Sequence, residues 1–201
     1  MEVLIVTLII DQMLESREKQ RRMEKLNMLV GAFFSTAGTP LLAVLAQADP
    51  DADSLAGSLV VTGDWKEEQF GAVRSCLSTH PCNVRIERVD LPALRAFLLG
   101  REDFLIRLVE NPMVFEHESF TALILAVSHL TEEIKARSDV TALPTPDLQH
   151  LEADLRRVYS ALVHEWVRYM AYLRAHYPYL FSLAMRTNPF DPSASVIVRQ
   201  S

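Results

Sequence analysis

Cys76, His80 and Cys82 form a C-x3-H-x-C string, and thiolates with an imidazole are good zinc ligands. A structural zinc site needs four ligands, however, and the paired C-x2-C spacing of the common sites is absent. Cys76 also falls near the apolar side of a helix, where a cysteine packs as a small hydrophobe. The second group able to do chemistry is scattered: His117, Glu118, His129, Glu132, Glu133, His150, Glu152, Asp154, His164, Glu165 and His176. Di-iron bundles draw their ligands from inward-facing Glu-x-x-His pairs. No such pair occurs here, and only Asp147-x-x-His150 approaches it. At 100° per residue, His150 and His164 lie about 200° from the seam positions Leu148 and Leu162. His129 is offset from Val127 in the same sense. These histidines are therefore expected on the surface with local carboxylate partners, and no metal and no cofactor is expected. Serine-nucleophile, Walker, Rossmann and kinase signatures are missing, so the sequence leans away from an enzyme. Trp166, Tyr169, Tyr172, Tyr177, Tyr179 and Phe181 could line a ligand site, but aromatics at helical spacing belong more often to a core.

The elements that hold these residues are mostly helices. The chain has 201 residues, is 49% hydrophobic and 23% charged, and has only six glycines, which suits one globular helical domain. The net charge of −6 removes the electrostatic basis for nucleic-acid binding. Leu148, Leu151, Leu155, Val158, Leu162, Trp166, Tyr169 and Leu173 recur every three or four residues, which predicts a long spine helix opened by Thr145-Pro146 and interrupted at Pro178. Phe120, Leu123, Ile124, Val127, Leu130 and Ile134 form a second stripe, preceded by Asn111-Pro112. Asp90 is read as the cap of a helix ending at Gly100. Asp64 is read as an N-cap with Glu67 completing a capping box, ahead of a helix over about 65–79. Residues 58–62 and 84–88 read as short strands. The expected fold class is therefore mainly α, a helical bundle with a small two-strand βαβ-like insertion around residues 58–89.

The N-terminus gives the strongest signal for location. Val3, Leu4, Ile5, Val6, Leu8, Ile9 and Ile10 make an almost unbroken apolar run, interrupted only by Thr7. Ten helical residues cover roughly half of a bilayer core. The run reads as the inner part of a transmembrane helix, with an in-plane or partner-docked helix and the first turns of a core helix as alternatives. Arg17, Lys19, Arg21, Arg22 and Lys25 follow, interleaved with Glu15, Glu18 and Glu24, and by the positive-inside rule they place that side in the cytoplasm. No cleavable secretory signal is evident, and two cysteines suit a reducing compartment. Residues 26–48 carry no charge, yet Ser35, Thr36, Gly38, Thr39 and Pro40 sit in the middle. A break between two buried helices, Leu26–Ser35 and Leu41–Ala48, is expected there, with a second span as the alternative. The division expected is an anchor or docking segment with its basic helix at 1–25, a helical domain at 26–190, and a tail at 191–201.

Four strings also carry a resemblance. They are Glu24-Lys25-Leu26-Asn27, Glu116-His117-Glu118-Ser119-Phe120, Tyr177-Pro178-Tyr179-Leu180-Phe181-Ser182-Leu183-Ala184, and Arg186-Thr187-Asn188-Pro189-Phe190. Together the chain resembles an uncharacterised prokaryotic group of helical proteins with an N-terminal membrane anchor. The resemblance implies topology and no chemistry, and implies a longer apolar N-terminal segment than this chain has. The expected role is thus a membrane-associated, cytoplasm-facing helical module that acts through a protein partner or a second copy. The alternative is a bundle enzyme or binding protein with a metal or apolar ligand in its core, or a soluble cytoplasmic protein.

Overall fold

The computed structural model describes residues 2–78 and 82–197, the side chains of residues 2–9 and of residue 55 excepted. Every regular element in it is helical. In chain order the elements are α1 (Glu2–Phe33), a π-turn (Phe34–Gly38), α2 (Thr39–Ala48), α3 (Ala52–Leu59), α4 (Glu67–Leu77), a 3-10 turn (Ile86–Arg88), α5 (Leu91–Leu99), α6 (Glu102–Val109), a second 3-10 turn (Pro112–Glu116), α7 (Glu118–Ala136), α8 (Thr145–His176) and α9 (Pro178–Arg186).

The spine is α8. Its seam residues Leu151, Leu155, Val158, Leu162 and Trp166 are all buried, as the periodicity predicts. Helix α7 is the main neighbour and brings Phe120, Leu123, Ile124, Val127, Leu130 and Ile134, equally buried, onto that seam. Helices α4, α9 and α2 pack on other faces of α8, and α5 and α6 back α7. The core runs as one cluster from Leu26 to Phe190. Its far end is closed by Asn188, whose Nδ2 donates to the Leu59 carbonyl at 2.8 Å, and by the Phe190 ring set edge-on to Trp166. Asp90 caps α5 by accepting from the Ala93 amide at 2.9 Å, and Gly100 is its C-cap, as read from sequence.

Three local expectations are corrected. First, the two-strand insertion does not form, and no strand occurs among the described residues. Residues 52–59 are helical, leaving only Val60 to Thr62 outside regular structure. The second segment alternates as a strand should, with Val84 and Ile86 buried. Its backbone is satisfied by helices instead: Arg85 N–H donates to the Ala48 carbonyl, Ile86 N–H donates to Glu152, and the Val84 carbonyl accepts from Arg156. A segment whose polar groups are already paired has nothing left to offer a ladder. Second, α4 starts two residues later than read. Lys66 is the N-cap and Gln69 takes its amide at 2.8 Å, while Asp64 accepts from the Thr62 hydroxyl. Similarly, Asn111 caps only the 3-10 turn, and the helix that follows is capped by His117, whose Nδ1 accepts from the Phe120 amide at 3.3 Å.

Third, the chain does not break at Pro40. Helix runs without interruption through residues 2–48, and a π-turn absorbs the proline. The Thr39 amide reaches back five residues to the Phe34 carbonyl. In an α-helix the Thr36 carbonyl takes the amide of residue 40, which proline lacks. Here the Thr36 carbonyl accepts from Arg101 Nε at 2.7 Å. The Arg101 guanidinium itself lies 3.8 Å over the Phe97 ring. A π-turn of this kind lets a helix continue past a residue that would otherwise end it.

Candidate functional site

Three places in the fold gather polar or exposed residues. The first is the outer part of α1. Every residue from Ile10 to Lys25 is exposed, and burial begins only at Leu26. The basic set Arg17, Lys19, Arg21, Arg22 and Lys25 is therefore all on the surface. Arg22 pairs with Glu18 at 2.6 Å and reaches Glu116 of the second 3-10 turn at 3.7 Å. The stretch 10–25 is about 24 Å long at 1.5 Å per residue. Ile10, Met13, Leu14 and Met23 are exposed along it. Of the apolar run, only the Ile10 side chain falls within the description; those of Val3, Leu4, Ile5, Val6, Leu8 and Ile9 lie outside it. Residues 26–48 behave differently. Leu26, Val30, Phe33, Phe34, Leu41, Leu42 and Leu45 lie in the domain core. Residues 10–48 have the length and hydropathy of a membrane-crossing helix, a property they share with core helices such as this one.

The second place is the edge where α7 meets α8. The two helices run antiparallel, and polar side chains step along their shared edge. At the hairpin end Arg137 is a staple. Its Nε and Nη2 hold both oxygens of Asp147 at 2.8 and 2.6 Å, and its Nη1 holds Glu133 Oε2 at 2.8 Å and the Glu133 carbonyl. This guanidinium keeps the carboxyls of Asp147 and Glu133 below the usual carboxylate range, and its own pKa is raised, chiefly by the Asp147 hydrogen bond. One turn further, His150 Nε2 lies 3.6 Å from Glu133 and 3.6 Å from Asp154. His129 Nε2 lies 3.6 Å from the same Asp154 oxygen and 3.9 Å from Glu133. Asp154 is only 3% exposed. Arg157 takes its Oδ1 at 2.6 Å, and its buried Oδ2 has no hydrogen-bond partner. Farther along, Ser119 donates to the buried Glu165 at 2.8 Å, with Arg168 bonded to the same hydroxyl and His117 Nδ1 at 3.1 Å. In that set the serine stands between histidine and carboxylate, so it is not a nucleophile–base–orienter relay.

The third place is interior. Tyr159 is fully buried and its pKa is pushed upward, first by desolvation and then by the nearby Asp49 charge. Cys82 sits beside it with its thiol pKa raised by burial, partly opposed by a Ser160 hydrogen bond.

The C-x3-H-x-C string falls partly outside the described residues. Cys76 is exposed on α4 instead of packed, Cys82 faces Ser160 of α8, and His80 lies outside the described residues. Of the aromatics, Trp166 and Phe181 are core, Tyr169 stacks on Phe34 at 5.0 Å, and Tyr179 is 72% exposed. A groove of about 420 Å³ runs beside the π-turn, lined by Phe34, Pro40, Tyr169, Leu180 and Leu183 among others. Sequence reasoning did not foresee that His129 and His150 converge. The signal was there as two i,i+4 pairs, His129 with Glu133 and His150 with Asp154, on neighbouring helices.

An all-α domain built on one long spine helix, with an exposed helical arm, defines the class. The chain belongs to the family described as the C-terminal helical domain of uncharacterized protein MJ1433, which matches residues 22–186. It is 42% identical to uncharacterized protein MJ1433 of the archaeon Methanocaldococcus jannaschii over 196 residues, covering 98% of this chain and 78% of that protein. No solved structure matches the chain.

Proposed function

We propose that the protein is a membrane-associated, cytoplasm-facing helical module that acts through protein interaction. One observation carries the reading: α1 leaves the domain at Leu26 and extends outward through a wholly exposed, charged stretch to Ile10. An apolar run at the end of such an arm needs lipid or another protein to cover it, because leaving it in water costs about 25 cal/mol per Å². The five basic residues between the apolar run and the domain favour the cytoplasmic side and an anionic headgroup surface. Within residues 26–48, Leu26, Val30, Phe33, Phe34, Leu41, Leu42 and Leu45 already lie in the core, which favours a domain helix over a second span. The test is expression of the full chain in a bacterium followed by fractionation and protease treatment. The expected result is sedimentation with membranes, resistance to salt wash, and digestion of residues 49–201 only from the cytoplasmic side. Recovery of the whole chain in the soluble fraction without detergent sinks the membrane reading.

A further inference from the structure

We propose that the cleft between α1 and the second 3-10 turn docks on the anionic phospholipid headgroups of a membrane, with Arg17, Arg21 and Lys25 as its phosphate contacts. The cleft has a volume of about 750 Å³ and is lined by those three cations, by Leu14 and Met113, and by the paired Glu18 and Arg22. Helix residues four apart share a face, so the three cations project side by side along about 12 Å of α1.

Charge singles this cleft out. Glu18 and Arg22 neutralise each other at 2.6 Å, and Arg22 also reaches Glu116 at 3.7 Å. Arg17, Arg21 and Lys25 take part in no ion pair among the described residues. The cleft is therefore strongly positive, in a chain whose net charge is −6. The neighbouring cleft across the Glu18–Arg22 ridge carries Glu15, Lys19 and Glu116 and has no such excess. Phosphodiester oxygens suit unpaired guanidinium and ammonium groups through charge-assisted hydrogen bonds. The apolar rim favours lipid as the source of those phosphates. Leu14 is 59% exposed, Phe115 of the 3-10 turn is 58% exposed, and Met28, three residues beyond Lys25, is 64% exposed. Apolar side chains beside basic ones are what a surface needs at the boundary between headgroups and acyl chains.

With the apolar run at the membrane, on which this assignment rests, the arm must lean. Upright, with Ile10 at the edge of the hydrocarbon, Lys25 would stand about 22 Å above it, whereas the headgroup layer is roughly 5–8 Å deep. A leaning arm brings all three cations to the phosphates. It carries the 3-10 turn with it, because the turn packs on α1. The domain then lies against the membrane on its α1 side.

Flotation of the full chain with vesicles tests the cleft. One set is phosphatidylcholine alone, and in the other about a third is replaced by phosphatidylglycerol. Each basic residue at an anionic surface strengthens binding about fivefold, so the expected gain on the anionic set is about a hundredfold, reversed by high salt. Arg17→Gln, Arg21→Gln and Lys25→Gln combined should remove most of that gain with unchanged circular dichroism. The charge-matched variant K66Q/R85Q/R88Q, at exposed positions of the domain, should keep it. Binding to the neutral vesicles reads the apolar run alone, so its absence counts against the membrane reading, while the gain on anionic lipid reads the cleft. No gain, or a gain that survives in the R17Q/R21Q/K25Q variant, overturns the cleft. Capture of a glutamate-rich peptide with no gain on anionic vesicles also overturns it and assigns the cleft to an acidic protein.

Discussion

Gly38 is the residue whose smallness the fold most needs. A methyl group placed there would stand 2.7 Å from the Phe33 ring and 2.8 Å from the Phe34 ring, both fully buried. Rings locked in a core cannot retreat cheaply, so Gly38→Ala should destabilise the protein by about 1–3 kcal/mol despite its better helix propensity. The urea midpoint checks this, and an unchanged or higher midpoint would show that the rings yield. Leu155 gives the opposite case, a large residue made small. It is fully buried in the α7–α8 seam, and Leu155→Ala should cost about 2–5 kcal/mol. Chemical denaturation with an unshifted midpoint would refute its place there. The seam residues were legible because burial on a helix has a period. The orphaned oxygen of Asp154 was not, because it depends on which residue of a second helix lies opposite, and a single helix's pattern carries no such register.

Between elements, two polar devices replace what the backbone lacks. At the π-turn, Arg101 serves the Thr36 carbonyl where Pro40 has no amide to give. Arg101→Ala should therefore cost about 1–2 kcal/mol, and less in a Pro40→Ala background, where a new amide can serve that carbonyl. A double-mutant cycle that comes out strictly additive would separate the two residues. At the α7–α8 hairpin, Arg137 holds Asp147 and Glu133 with carboxyl pKa values lowered chiefly by its own hydrogen bonds. A folded-state pKa below the unfolded one gives stability that is present near neutrality and lost as pH falls below about 4. The midpoint difference between the wild type and Arg137→Gln should thus be larger near neutral pH than in acid; a gap that widens in acid would contradict the staple. At this scale the helices were legible from stripes and caps, such as Asp90 and Thr145-Pro146. The misread strand at residues 84–88 had true alternation, but its hydrogen-bond partners, Ala48, Glu152 and Arg156, are remote in sequence.

At the scale of the molecule, arm and domain are separable in stability although continuous in structure. The core begins at Leu26, and residues 10–25 contribute no buried side chain. Deleting residues 2–21 should leave the thermal midpoint within about 2 °C of the parent, since exposed helix away from the core contributes little. The same deletion should release the protein from membranes. A large fall in the midpoint would mean that the arm folds back on the domain. The mainly helical character of the chain was legible from composition and periodicity. A joint was expected within residues 26–48, where Gly38 and Pro40 can break a helix, and the π-turn with Arg101 abolishes it.

That missing joint has a mechanical consequence. Residues 2–48 form one rod of about 70 Å at 1.5 Å per residue, half of it lodged in the bundle and half outside. A glycine–serine tether lets its cargo tumble through every orientation. A rod with no swivel does not. Whatever grips the first ten residues sets the heading of the whole domain, and a torque applied there reaches Leu45 without meeting a loop.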